Sequence, residues 1–219
     1  MVIELGGEGI DRVQSRLDYT LGAEVENLTL KGPLAQSGTG NGLDNVLRGT
    51  AGDNTLSGLA GIDELYGNDG DDSLHGGGGN DRLEGGAGRD TISGANGDDQ
   101  IVGGANKDTL FGGDGADTFF FDDGEVGGGA SSADIVLDFD QAEGDKVHVR
   151  QIDANTGAGG DQNFTFIGDA AFTGVAGQLH YVHAGPNTFV EGDTDGDGTA
   201  DFVIRLDGLH TLAAGDFVL

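Results

Sequence analysis

The chain has 219 residues, with 45 glycines, two prolines and no cysteine, and its 39 acidic against 10 basic side chains leave a formal net charge of −29. Glycine at about a fifth of the residues, against roughly 7% in ordinary proteins, argues against a conventional helical or sandwich core, the lack of a three-residue glycine period excludes collagen, and 36% hydrophobic residues argue against wholesale disorder. Such a charge repels nucleic-acid phosphates and anionic membranes and attracts cations, and without thiolates a metal must be held by oxygen or imidazole, which suits Ca²⁺ or Mg²⁺.

Met1 is followed by Val-Ile-Glu-Leu, without the basic and apolar regions of a cleavable leader, and no apolar run approaches the ~20 residues of a membrane span. Any export signal is expected elsewhere. Residues 6–14, GGEGIDRVQ, form a glycine-rich nonapeptide with Asp11 sixth and Val13 eighth. The chain thus starts inside a repeat pattern, and a larger protein with a domain upstream is expected. Leu17 to Leu30 (LDYTLGAEVENLTL) alternates strand-forming and turn residues.

From Gly40 to Phe120 the chain reads GNGLDNVLR, GTAGDNTLS, GLAGIDELY, GNDGDDSLH, GGGGNDRLE, GGAGRDTIS, GANGDDQIV, GGANKDTLF and GGDGADTFF without an insertion. Every first position is glycine, a run with a chance of roughly one in a million at this composition. The eighth positions are Leu47, Leu56, Leu65, Leu74, Leu83, Ile92, Ile101, Leu110 and Phe119, each among polar neighbours, as in a very short strand with one inward side chain. The sixth positions are Asn45, Asn54, Asp63, Asp72, Asp81, Asp90, Asp99, Asp108 and Asp117. Glycine dominates the fourth position, where positive φ turns carbonyls toward one point; Asn106 tolerates that conformation and Leu43 does not, so the first repeat reads as a worn edge.

The pattern GGxGxDxUx, with U apolar, resembles the RTX (haemolysin-type) repeat of secreted calcium-binding proteins. The resemblance implies an all-β fold, a right-handed parallel β-roll in which two nonapeptides make one coil. Strands centred on residues 47, 65, 83, 101 and 119 would form one sheet and those centred on 56, 74, 92 and 110 the other, with coils about 4.8 Å apart. Stacking then pairs Asp63 with Asp81, Asp81 with Asp99, Asp99 with Asp117, Asp72 with Asp90, and Asp90 with Asp108. Like charges so placed oppose the fold unless a cation lies between them, and two carboxylates with four carbonyls supply the six oxygens that calcium wants. Five full sites follow. Asn45 with Asp63 and Asn54 with Asp72 would be weaker or empty, so five to seven ions are expected. The resemblance assigns the carbonyl donors to positions one and three of one loop and two and four of the next: Gly58, Ala60, Gly67, Asp69, Gly76, Gly77, Gly78, Gly79, Gly85, Gly86, Ala87, Gly88, Gly94, Ala95, Asn96, Gly97, Gly104, Asn106, Gly113 and Gly115. The alternative is that these aspartates only shape turns through bonds to the backbone.

After Phe121 the glycine period stops. Asp134 to Val149 (DIVLDFDQAEGDKVHV) holds two strand candidates around an acidic turn, and FTFIG, QLHYV, NTFVEG and DFVIRL continue as strands. This region resembles the C-terminal part of serralysin-type proteins and implies a β-sandwich-like cap over the end of the roll. Three segments result: 1–39 as N-terminal repeat and capping segment, 40–120 as nine-repeat roll, and 121–219 as C-terminal cap. Between strands, DTDGDGTAD brings Asp193, Asp195, Asp197 and Asp201 into a spacing that can wrap a cation. It lacks the twelfth-position Glu of an EF-hand, since Ile204 stands there. The final Asp216, Phe217, Val218 and Leu219 resemble the uncleaved C-terminal signal of type I secretion, although a buried last strand looks the same.

His180 and His183 give H-x-x-H without the glutamate of a zinc hydrolase motif, and that spacing on a strand sends the rings to opposite faces; no nucleophile elbow or phosphate loop is present, so no catalytic site is expected. Three readings stand: a calcium-folded secretion module of a larger secreted protein, a polysaccharide-contacting module like those of alginate epimerases, and part of an adhesin or surface layer. Calcium, the type I secretion machinery, an upstream domain and a polysaccharide are the corresponding partners, and the expected location is extracellular.

Overall fold

The computed structural model describes residues 9–122, 129 and 131–219. Its strands, in chain order, are β1 (Arg12–Ser15), β2 (Tyr19–Thr20), β3 (Asn27–Leu30), β4 (Ser37–Thr39), β5 (Val46–Arg48), β6 (Thr55–Ala60), β7 (Glu64–Asp69), β8 (Ser73–Gly78), β9 (Arg82–Ala87), β10 (Thr91–Asn96), β11 (Gln100–Ala105), β12 (Thr109–Asp114), β13 (Thr118–Asp122), β14 (Asp134–Val136), β15 (Lys146–Gln151), β16 (Thr165–Phe166), β17 (Gln178–Ala184), β18 (Asn187–Asp193), β19 (Phe202–Leu206) and β20 (Phe217–Val218). They make two sheets. One has nine strands in the order β1-β3-β5-β7-β9-β11-β13-β15-β20, the other eleven in the order β16-β17-β18-β19-β14-β12-β10-β8-β6-β4-β2.

Successive repeats alternate between the sheets, so each strand stacks in parallel on the strand two repeats away, and the fold is a parallel β-roll. The nine-residue period fixes the register: Leu47 pairs with Leu65, Leu65 with Leu83, Leu83 with Ile101 and Ile101 with Phe119. On the other sheet Leu56 pairs with Leu74, Leu74 with Ile92 and Ile92 with Leu110. All nine side chains are at most 2% exposed and together form the core of the roll. Burying a leucine contributes about 1.5–3 kcal/mol, so this single inward residue per repeat is the main apolar force on each coil.

Both ladders run past the repeats. Val13 pairs with Leu28 and Leu28 with Leu47 at one end, while Phe119 pairs with Val147 and Val147 with Phe217 at the other. Val13 is thus inward as the isolated nonapeptide at residues 6–14 requires, although residues 6–8 lie outside the described ones. The C-terminal strands prolong the same two sheets. β14 and then β19 add in parallel to the β12 side, β15 and β20 to the β13 side, and β17–β18–β19 form an antiparallel meander on the larger sheet. The cap therefore covers the roll as a continuation of its two layers. Among the described residues no helix is long and apolar enough to cross a membrane.

The loops show what glycine does here. In the third to ninth repeats both the second and the fourth residues take positive φ, at the second position by Gly77, Gly86, Gly104 and Gly113 but also by Leu59 (84°), Asn68 (83°) and Ala95 (86°). Asn106 takes it at the fourth position, as its side chain allows. Leu43 does not, in keeping with the worn first repeat, and neither does Gly52 of the second.

Candidate metal centres

Each sixth-position side chain closes a rung between coils. The Asp63 N–H donates to Asp81 Oδ1 (2.8 Å), Asp81 N–H to Asp99 Oδ1 (2.7 Å) and Asp99 N–H to Asp117 Oδ1 (2.8 Å). On the opposite side Asp72 N–H donates to Asp90 Oδ1 and Asp90 N–H to Asp108 Oδ1, both at 2.7 Å. Asn45 and Asn54 donate their N–H groups upward to Asp63 and Asp72 in the same way. The five expected aspartate pairs are therefore all brought together. One oxygen of each carboxylate does bond to the backbone, through the N–H of the preceding coil and not within its own turn.

The second oxygen does not. Oδ2 of Asp63, Asp72, Asp81, Asp90, Asp99 and Asp117 is buried without a hydrogen-bond partner, in residues at most 3% exposed. A buried anionic oxygen with no donor is expensive, so each of these atoms calls for a positive partner. Their surroundings are oxygen. A Cβ on Gly58 would meet both Asp63 Oδ2 and the Gly76 carbonyl (2.7 Å), and one on Gly67 both Asp72 Oδ2 and the Gly85 carbonyl (2.6 Å). The same point in higher coils gathers Asp81 Oδ2 with the Gly94 carbonyl, Asp90 Oδ2 with the Gly103 carbonyl, and Asp99 Oδ2 with the Gly112 carbonyl. First-position glycine is required because a side chain would fill the space between a carboxylate and a carbonyl. Gly103 and Gly112 belong to this set, although the family pattern pointed only to the second and fourth residues of their repeats.

The other expected carbonyls face the next coil. Those of Gly79, Gly86, Ala95 and Gly97 lie where a Cβ on Gly97, Gly104, Gly113 and Gly115 would sit, so the loops stack in register. Third-position carbonyls of Gly78, Ala87 and Asn96 accept the N–H groups of Gly61 (2.9 Å), Gly70 (2.8 Å) and Gly79 (2.9 Å).

Electrostatics follow from burial. It pushes the carboxyls of Asp63, Asp72 and Asp99 from the ordinary 3.8 up to about 7, and those of Asp90 and Asp117 to about 6; nearby aspartate charges add to the rise, and the N–H from the preceding coil opposes it. Without a cation these groups compete for protons near neutrality.

The rows end differently from what spacing suggests. At the N-terminal end the side-chain oxygens of Asn45 and Asn54 accept N–H groups of their own loops, from Asn41 (2.7 Å) and Thr50 (2.6 Å). At the C-terminal end the rungs continue into two residues outside the repeats: Asp108 N–H donates to Asp134 Oδ1 (2.8 Å) and Asp117 N–H to Asp145 Oδ1 (2.9 Å). Both are 1% exposed. A further ladder, on the outside, also escaped sequence reading. Fifth-position Asp44, Asp53, Asp71, Asn80 and Asp98 accept, through Oδ1, the N–H of the residue 18 positions on, at 2.7–3.0 Å.

In the loop between β18 and β19, single carboxylate oxygens of Asp193, Asp195 and Asp197 lie within 4.8 Å of one another. Asp201 is not among them. Its Oδ2 accepts from the N–H (2.6 Å) and hydroxyl (2.8 Å) of Thr194 and fastens the loop. Asp193 is fully buried and caps the turn, accepting from Gly196 (2.6 Å) and Gly198 (3.0 Å).

His180 and His183 diverge as expected on one strand: His180 is buried against Glu191 (3.0 Å) and the Ala170 carbonyl (2.8 Å), while His183 is exposed and meets the His210 carbonyl (2.9 Å). The final residues form a last strand. Phe217 and Val218 pair with β15, and Asp216 Oδ2 accepts from Ala213 N–H (2.8 Å) and Gln141 Nε2 (2.7 Å).

The family described as RTX calcium-binding nonapeptide repeat matches residues 39–74, 57–92 and 93–125. Among solved structures, the AlgE6R2 subunit of the mannuronan C5-epimerase from Azotobacter vinelandii is 29% identical, with 86% of this chain and 92% of that chain covered and a TM-score of 0.35. The AlgE6R3 subunit of the same enzyme is 28% identical over 80% of this chain and 78% of that chain, at a TM-score of 0.33. Extracellular lipase LipA from Serratia marcescens is 13% identical, with 84% of this chain and 40% of that chain covered and a TM-score of 0.32. No curated protein sequence matches the chain.

Proposed function

We propose that this chain, which carries RTX calcium-binding nonapeptide repeats over residues 39–125, is a calcium-driven folding and secretion module of a larger exported bacterial protein. The observation that carries the reading is the double row of buried, unpartnered Oδ2 atoms, those of Asp63, Asp72, Asp81, Asp90 and Asp99 each gathered with a glycine carbonyl. The donor set fits calcium: it is all oxygen, partly anionic, and placed where a side chain on the first-position glycine would block it. Asp63, Asp72, Asp81, Asp90, Asp99, Asp108 and Asp117 would hold the ions, with backbone carbonyls of the glycine loops completing them. Five to seven ions are expected.

Calcium, when bound, supplies the positive charge that the stacked carboxylates lack. The protein's part is to hold the carboxylates in register through the N–H to Oδ1 rungs. In a cytosol poor in calcium the chain's own charge of −29 keeps it expanded, and outside the cell the rungs close. Extracellular calcium modules bind at about 10⁻⁴ to 10⁻³ M, which separates the two compartments. The trio Asp193, Asp195 and Asp197 is a separate candidate site, and Asp216 to Leu219 would act as the export signal before they pack as the last strand. Circular dichroism tests the main claim. In excess chelator the roll should lose its β-signal and regain it cooperatively near millimolar calcium; full β-signal in chelator would show that the leucine ladder suffices without metal.

A further inference from the structure

Resting on the calcium reading above, we propose that the row beside the nine-stranded sheet carries one more calcium site, beyond the repeats, between Asp117 and Asp145. The chain takes 28 residues to pass from one to the other, where each lower rung takes 18, yet the rung is the same: Asp117 N–H meets Asp145 Oδ1 at 2.9 Å. Asp117 is fully buried and its Oδ2 has no partner, as in the coils below. What covers it is the acidic loop ahead of β15. Asp138 stands over the ninth repeat's loop and accepts the Gly112 N–H (2.9 Å) and Gly113 N–H (3.1 Å) through its two oxygens. Asp145 is locked in place by the Asp140 N–H on its Oδ2 (2.8 Å).

The charges facing Asp117 are those of Asp145, Asp138 and Asp98, all negative. Among the described residues, none of these carboxylates forms an ion pair with a basic side chain. A cation is the group this end lacks. The opposite end carries less charge, because neutral Asn45 and Asn54 stand on its rungs, each with its side-chain oxygen accepting an N–H of its own loop. An ion beyond the five aspartate pairs should therefore favour the more charged C-terminal end over the asparagine rungs.

Native mass spectrometry of the calcium-saturated chain counts the ions, and anomalous scattering from a calcium-soaked crystal locates them. Asp145→Asn and Asp138→Asn each keep one of the two acceptor oxygens that hold backbone N–H groups, circular dichroism in calcium checks that the roll still folds, and each should bind one ion fewer than the parent. The parent should show a peak within coordination distance of Asp117 and Asp145. A parent with five or more ions, no peak there and no loss in either variant would overturn this site while leaving the rows intact. A parent with two or fewer ions would overturn the row reading itself, and this site with it.

Discussion

Asp90 is the sharpest probe of the rows, because its two oxygens do separable jobs. Oδ1 accepts the Asp72 N–H at 2.7 Å, while Oδ2 is buried without a partner next to the Gly103 carbonyl. Asp90→Ala removes both. It leaves the Asp72 N–H buried without an acceptor, a cost of about 1–3 kcal/mol whether or not calcium is present. In calcium it also removes a ligand from two neighbouring sites. At ten times Kd each site contributes about 1.4 kcal/mol, so up to about 3 kcal/mol more is lost. Asp90→Asn keeps the Oδ1 rung and removes only the charge. Its loss in calcium should be confined to that ligand share, about 3 kcal/mol, whereas in chelator it should be neutral or stabilising, since a buried carboxylate disappears. Urea denaturation followed by circular dichroism, in excess calcium and in excess chelator under conditions where the roll still folds, measures all four values. An Asn variant equally destabilised in both media would show that Oδ2 serves the fold and not the ion.

Acidification should act oppositely in the two media. Asp63, Asp72 and Asp99 have folded pKa values near 7 against 3.8 in the unfolded chain, so the folded state binds the extra protons and their contribution is present at low pH and lost as pH rises from about 4 through about 7. In chelator, stability should therefore fall across that window, whereas in calcium protons compete with the ion and calcium affinity should rise; denaturation and calcium titrations at a series of pH values check both, and stability rising with pH in chelator would contradict the burial argument. Gly85→Ala would set a Cβ against Asp90 Oδ2 and the Gly103 carbonyl, so calcium titration should show weakened central sites, while Gly78→Ala, which meets nothing within 4 Å, should leave the titration unchanged. Leu59 sits at φ 84° and is 48% exposed, so Leu59→Gly should stabilise the calcium-loaded roll by about 1 kcal/mol, read from the urea midpoint. Leu83→Ala opens the centre of the ladder and should cost about 2–5 kcal/mol in the same assay.

Where the nine-residue period holds, sequence and structure agree residue by residue, because a constant spacing in a roll is also a constant stacking. Leu83 meets Leu65 and Ile101, and Asp90 meets Asp72 and Asp108, for the same reason: each lies 18 positions from its neighbours. The signal fails where stacking continues and spacing does not. Asp134 and Asp145 occupy the next rungs after 26 and 28 residues, and nothing in DIVLDFDQAEGDKVHV marks them above the other acidic residues there. Only the pairing of β14 on β12 and β15 on β13 does so, and that is a long-range choice which local composition does not encode. The same limit explains the C-terminal strands, each visible as an alternating segment while their joining of the roll's own sheets was not. Loop conformation was legible only by halves. Fourth-position glycine announces positive φ, but the second position holds Leu59, Asn68 and Ala95 in the same conformation, imposed by coils already in register above and below. A roll of this kind therefore tolerates a strained residue in one loop because its neighbours fix the backbone, and an ion that ties adjacent loops together strengthens that same constraint.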